Sequence, residues 1–237
     1  MPIFYEHNTL FVHIPKNAGR SVEKTLLPTG LMPSSGGRSF INGLSRWALR
    51  KTSSPIPSRC LLGTLDVVLA SQHLTLEEIR LLGLVPESEI NRLFKFCVVR
   101  NPYDRVLSSV LHFSRNDKQR LFDIPDRPTA GDFETAILAR INVDAPNHNV
   151  LAHRRPQSDY VRIKERDNAT DYTLRFEHLN EDFGRLRDRL SATIPTLGRT
   201  GAGRFGGRDY RELYTEASRK AVEQAFAADL ELFEYRF

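Results

Sequence analysis

Lys16, His73 and Arg100 are the side chains of this sequence best suited to chemistry on an anion. Lysine and arginine hold negative groups, and a neutral imidazole accepts a proton near neutral pH. Their positions matter more than their types. Lys16 follows the apolar, β-prone run Thr9–Ile14, His73 follows Asp66–Ala70, and Arg100 follows Phe94–Val99. Helix signals come after each. Strands alternating with helices predict a mostly parallel sheet with right-handed crossovers. In such sheets ligands bind beyond the carboxyl ends of the strands. The three side chains should therefore converge on one sheet edge, which neither a packing histidine nor a stray surface arginine would explain.

The first of these junctions is a loop. Pro15 stops the strand because it has no N–H for a ladder. Val22, Leu26 and Leu27 then recur at helical spacing. Between them lie Lys16, Asn17, Ala18, Gly19, Arg20 and Ser21. A loop opening a helix turns free N–H groups and the positive dipole end on its occupant, and the two cations and the hydroxyl add to that field. An anion, in particular a phosphate, suits such a place. Taken alone, the loop also reads as a capping turn with an incidental lysine. It is not the standard triphosphate loop, since Ile14 stands where the first glycine belongs and Arg20 where the lysine belongs.

At the other main junction, Asn101 is a good N-cap, Pro102 a preferred first helical residue, and Asp104 supports the first turn. Val106, Leu107, Val110, Leu111 and Phe113 give that helix its apolar face, and Ser108 lies two turns in. Thr75-Leu76-Glu77-Glu78 is a capping box with Gly83 as the stop, so His73 sits in a turn before a helix. Phe133, Ile137 and Ile141 mark another helix, Tyr172–Phe176 a fourth strand, and Leu179, Phe183, Leu186 and Leu190 the helix after it. An amphipathic helix closes the chain through Ala217, Ala221, Val222, Ala225 and Phe226, followed by Leu230, Leu232 and Phe233. Residues 142–157 show no clear period. Their His148 and His153 have no second carboxylate or cysteine at metal-ligand spacing. Residues 28–59 read as an excursion from the core, either a surface helix or a basic flap over the site. The glycine-rich stretch 198–207, with Arg199, Arg204 and Arg208 alongside, is a linker or a phosphate-wrapping loop.

The totals set bounds. The chain has 237 residues, enough for one large α/β domain spanning 1–237. A net charge of +5 favours an anionic ligand or acceptor, while no zinc-finger or helix–turn–helix pattern points to nucleic acid. Cys60 and Cys97 are too few for a disulfide framework, which suggests a reducing compartment. No signal peptide or bilayer-spanning run stands out, so the expected location is cytoplasmic; the oligomeric state is not legible.

These residues also carry a resemblance. His13-Ile14-Pro15-Lys16-Asn17-Ala18-Gly19-Arg20-Ser21 resembles the phosphosulfate-binding loop of the type-2 sulfotransferases, the group that includes glycan O-sulfotransferases. Val99-Arg100-Asn101-Pro102-Tyr103-Asp104-Arg105 with Ser108 resembles that family's 3′-phosphate-binding motif, and this match is highly specific. Gln72-His73 is similar to the Gly-His turn that carries the base. Weaker matches at 153–157, 176–179 and 229–235 extend the likeness over nearly the whole chain. Gln72 stands where the family has glycine, and Asn17 and Arg20 stand where small residues or threonine are usual.

The resemblance implies a P-loop-like sulfotransferase fold, with a mostly parallel central sheet flanked by helices. It implies transfer of a sulfuryl group from 3′-phosphoadenosine 5′-phosphosulfate to a hydroxyl of a glycan or other polar acceptor, without a metal. Lys16 and His73 would be catalytic, and Lys16 to Ser21, Arg100 and Ser108 would hold the donor. His153, Arg154, Arg155, Gln157 and Glu177 are substrate-side candidates, with Glu177 also a reserve base. The rivals are a nucleotide or small-molecule kinase and a basic binding module for glycan or nucleic acid. A kinase needs an acidic Mg²⁺ ligand after a strand, but Asp66 begins its strand. A binding module accounts for the charge but not for three converging site residues.

Overall fold

The computed structural model describes residues 3–4, 7–26, 73–82, 86–115, 120–126, 128–142, 148–191, 193–198 and 208–237. The expected strand at 66–70, Gln72, Cys60, Gly83, the excursion at 28–59 and most of the glycine-rich stretch lie outside the described residues.

Among the described residues, four strands form one sheet in the order β1 (Ile3–Phe4), β2 (Thr9–Val12), β3 (Phe94–Val99), β4 (Tyr172–Arg175). β2, β3 and β4 are parallel, with Val12 level with Cys97 and Val99 level with Arg175. Only β1, a two-residue edge unforeseen in the sequence, runs antiparallel. The carboxyl ends of β2, β3 and β4 therefore share one edge.

Side chains alternate across the sheet as the pleat requires. Leu10, Val12, Cys97 and Val99 point to one face, under α2 (Leu76–Leu82), α3 (Glu87–Arg92) and α7 (Ser158–Val161). Phe11, Phe96, Val98 and Leu174 point to the other, where α1 (Gly19–Leu26) and α8 (Leu179–Leu190) supply Val22, Leu26, Phe183 and Leu186. Both faces are covered, so the strands are apolar throughout instead of alternating in polarity. A third cluster joins α4 (Pro102–Ser114), α5 (Ala130–Asn142) and α9 (Glu216–Ala225) through Tyr103, Val110, Phe113, Phe133, Ile137 and Val222. Burial pushes the Cys97 thiol up to about 12, so it is an inert core group.

The local signals work as read. Asn101 accepts a hydrogen bond from the Tyr103 N–H at 3.1 Å, and Pro102 opens α4. Thr75 and Glu78 exchange both bonds of the capping box, at 2.8 and 3.0 Å. Three expectations need correction. Residues 148–154 form α6 (His148–Arg154) although they lack periodicity. Phe176 leaves β4 and begins a 3-10 turn, Phe176–His178. The closing helix is two helices, α9 and α10 (Ala227–Leu232), broken at Phe226 with φ −122° and ψ 26°.

That break carries Asp229 under α7. Its carboxylate accepts from the Gln157 N–H at 2.8 Å and the Ser158 N–H at 2.7 Å, with all three residues buried. Charge-assisted bonds of this kind exceed neutral ones. Asp229→Ala should lower unfolding free energy by about 3 kcal/mol, because two buried N–H groups lose their acceptor. Chemical denaturation measures this, with a smaller loss for Asp229→Asn. An unchanged midpoint for both would contradict the assignment.

Candidate functional site

The loop after β2 is held open by two residues in the left-handed region, Lys16 at φ 71° and Ala18 at φ 60°. Each costs on the order of 1–3 kcal/mol, and such a shape persists only where its surroundings impose it. They do. Arg100 Nη1 donates to the Lys16 carbonyl at 3.0 Å, and Arg105 Nε donates to the Pro15 carbonyl at 3.2 Å. Asn17 Nδ2 donates to the Val98 carbonyl and to Gln157 Oε1, both at 2.7 Å. Within the loop, the Ser21 and Val22 N–H groups turn back to the Ala18 carbonyl. The Gly19 and Arg20 N–H groups, at the helix start, have no intrahelical acceptor. A loop of this form can hold an anion.

Gly19 is required for a different reason from flexibility. A Cβ there would lie 2.1 Å from His13 Nε2. The His13 ring is fixed in turn, with Nδ1 2.7 Å from Glu23 Oε1 on α1, and both side chains are buried. Loop, ring and helix thus pack as one block.

His73 adjoins that block. Its Nδ1 lies 3.1 Å from the His13 carbonyl oxygen. A carbonyl can only accept, so Nδ1 carries the proton and Nε2 keeps a lone pair in the neutral ring. Part of the residue meets solvent, but the imidazole is enclosed by its neighbours. That desolvation, aided by the fields of His13 and His153, holds its pKa well below the usual histidine value. The His13 and His73 ring centroids are 4.6 Å apart, those of His73 and His153 5.5 Å, and those of His153 and His112 5.3 Å and near-parallel. At the far end of this row, burial and the charges of Lys16 and Arg20 depress His112 to about 4. The row therefore ties His73 to the two loop cations. His112 is four residues after Ser108 on α4, so the two share a helix face.

Arg100 completes the arrangement. It is 1% exposed, pairs with Asp104 through Nε at 2.6 Å and Nη2 at 2.5 Å, and lies over the Phe176 ring at 4.2 Å. With Nη1 on the Lys16 carbonyl, two of the five guanidinium N–H donors keep no partner among the described residues.

The loop residues Lys16, Ala18, Gly19, Arg20 and Ser21 after β2 and Arg100 after β3 thus share one sheet edge; His73 lies against His13 beside it, with His153 against His73, and Ser108 lies two turns into α4. The other candidates do different work. Asn17 is 1% exposed and stitches the loop to β3. Gln157 is 0% exposed, with Oε1 accepting from the Arg100 N–H at 3.0 Å and Nε2 donating to the Arg100 carbonyl at 2.8 Å; it positions the site from beneath instead of touching substrate. Arg155 pairs with Glu78 at 2.8 Å. Both Glu177 oxygens are used, by the Asn101 N–H and the Tyr235 hydroxyl, each at 2.8 Å. A carboxylate so engaged is a brace for the chain's C-terminal segment and a poor base. Arg154 is half-buried at the end of α6. Sequence reasoning missed His112, Glu23 and Arg105; for His112 the four-residue spacing from Ser108 was the available signal.

Gly19→Ala should cost about 2 kcal/mol of stability, since overpacking at this contact cannot relax without moving His13. Thermal denaturation of the two proteins measures it, and equal midpoints would refute the contact. Acid behaviour follows from His112. Its depressed pKa means the unfolded chain binds the proton more readily. Stability present above about 6.5 is therefore lost as pH falls towards about 4. His112→Phe keeps the stacking and should move the acid-unfolding midpoint to lower pH. A midpoint that stays or rises would contradict this.

A comparison with known proteins bears on this geometry. No curated protein and no solved structure matches the chain. The sulfotransferase family model matches residues 3–236, nearly all of it, and covers both strand ends and the residues gathered at them. With a parallel sheet, a loop after β2 that can hold an anion and a second cationic junction after β3, the chain belongs to the sulfotransferase family.

Proposed function

We propose that the protein transfers a sulfuryl group from 3′-phosphoadenosine 5′-phosphosulfate to a hydroxyl of a glycan or other polar acceptor. The observation that carries this reading is the direct bond between the two cationic junctions, Arg100 Nη1 to the Lys16 carbonyl at 3.0 Å. It joins the loop after β2 to the junction after β3, which supports a pair of neighbouring anion sites such as a nucleotide with a phosphate group at each end would need. The loop, with the N–H groups of its helix start and its strained backbone, fits the 5′-phosphosulfate. The remaining donors of Arg100, with the Ser108 hydroxyl, fit the 3′-phosphate.

The donor, when bound, supplies an activated sulfur–oxygen bond. The chain's contribution is placement and charge. His73 Nε2 takes the acceptor's hydroxyl proton as the acceptor oxygen bonds to sulfur. The bond from sulfur to the bridging oxygen breaks, its electron pair stays on the phosphate side, and Lys16 stabilises that developing charge. The His13 carbonyl keeps the His73 proton on Nδ1, so the lone pair that acts as base is the one on Nε2. The net charge of +5 suits an acceptor that is itself polar or anionic.

His73→Ala should bind 3′-phosphoadenosine 5′-phosphate as the parent does, yet transfer ~10²–10⁴-fold more slowly. Isothermal calorimetry and transfer of labelled sulfate to a glycan mixture measure the two halves. Undiminished transfer would remove His73 as base; binding of ATP–Mg²⁺ in preference to the adenosine bisphosphate would favour a kinase. In the parent, the acid limb of kcat/KM should lie well below pH 6.5, because protonation of His73 removes the base and its pKa is lowered. An acid limb at or above 6.5 would contradict the assignment.

A further inference from the structure

Beneath the loop, on the face of α4 that carries Ser108 and His112, two more arginines are buried. Arg105 and Arg140 are each 2% exposed. Arg105 spends Nε on the Pro15 carbonyl and Nη1 on the Arg155 carbonyl at 3.0 Å. Its Nη2 is buried without a hydrogen-bond partner among the described residues. Arg140, on α5, spends Nε on Ser109 Oγ at 3.0 Å, and among the described residues its Nη1 is also buried without a partner. Ser109 lies one turn after Arg105, so this bond brings the Arg140 guanidinium against the Arg105 side of α4.

Each unmet guanidinium donor in a dry interior costs free energy, and a native structure tolerates it for a reason. Carboxylates nearby do not remove the problem. Asp229, whose field reaches Arg105, has both oxygens on the Gln157 and Ser158 N–H groups. Arg140 is worse placed. Burial and the repulsion of Arg105 and Arg154 push it down to about 9, and the Tyr160 hydroxyl nearby stays protonated and donates to the Ala152 carbonyl at 2.6 Å. A water could satisfy the hydrogen bonds but not the charge.

We propose that Arg105 and Arg140, with Ser109 between them, form a second oxyanion subsite beside the donor site, which takes a small tetrahedral or carboxylate anion. Arg105 Nη2 and Arg140 Nη1 supply the bonds. Arg154, whose charge reaches Arg140, is half-buried at the end of α6. The subsite is separate from the loop around Lys16, because its two unmet donors belong to α4 and α5.

Inorganic sulfate at low millimolar concentration is the probe, in thermal denaturation against chloride at matched ionic strength. At this concentration the general stabilising effect of sulfate is small, and the variants control for what remains. In the presence of saturating 3′-phosphoadenosine 5′-phosphate, sulfate should still raise the parent's Tm by a few degrees. Arg140→Met should lose that rise, and Arg140→Lys, which keeps charge without the fork, should lose most of it. The proposal is overturned if the parent shows no sulfate-specific rise, if the nucleotide abolishes it, or if both variants retain it, which would trace the effect to the Lys16 loop. Should one variant fail to fold, the other and the parent decide. If the nucleotide itself does not bind, the donor reading fails, but the sulfate titration of parent and variants still reads this subsite.

Discussion

The arrangement depends on one buried amide. Gln157 pairs with Arg100 much as a neighbouring strand would, accepting from its N–H and donating to its carbonyl, and the same amide oxygen takes the Asn17 side chain. A single planar group thereby joins the end of β3 to the loop after β2. Asp229 anchors that group from below through the Gln157 N–H. Removing it would free the loop to relax from the unfavourable dihedrals at Lys16 and Ala18, because nothing intrinsic to lysine or alanine holds them there. The strain of the loop is balanced by buried hydrogen bonds drawn from three distant parts of the chain.

Rigidity at this place has a chemical consequence. A site that stabilises charge acts best when its dipoles are already oriented, since no reorganisation is then needed as the charge develops. Here the orientation is set through packing. The His13 ring fills the space where a Cβ on residue 19 would sit, Glu23 holds the ring, and the carbonyl of the same histidine sets the tautomer of His73. The loop after β2 and His73 share a support, so their relative position does not depend on either one's own loop. The cost is a cluster of buried cations, Arg100, Arg105 and Arg140, of which only Arg100 has a dedicated carboxylate partner in Asp104. Arg100 is therefore held in place by a carboxylate, while Arg105 and Arg140 are held only by neutral acceptors.

Much of this was legible in the sequence, for identifiable reasons. Strands buried on both faces are continuous apolar runs, so β3 was plain from Phe94–Val99. Caps are local chemistry, so Asn101-Pro102 and Thr75-Glu78 were read correctly. Parallel pairing followed from the alternation of strands and helices, and with it the shared edge. Interactions between residues far apart in the chain were not legible. Gln157 looked like a substrate contact because its motif suggested polarity at a site, while its burial is set by Asp229 seventy-two residues later. The row of His13, His73, His153 and His112 has no period in sequence and exists only once four elements meet. The break at Phe226 was hidden because both flanking segments keep helical spacing.

The most direct measurement is a crystal structure of the protein with 3′-phosphoadenosine 5′-phosphate. The account predicts the 5′-phosphate against the N–H groups of Gly19 and Arg20 with Lys16 beside it, the 3′-phosphate between Arg100 and Ser108, and His73 Nε2 open towards the place the acceptor would take. A nucleotide bound away from the carboxyl ends of β2 and β3, or with its 3′-phosphate far from Arg100, would contradict it.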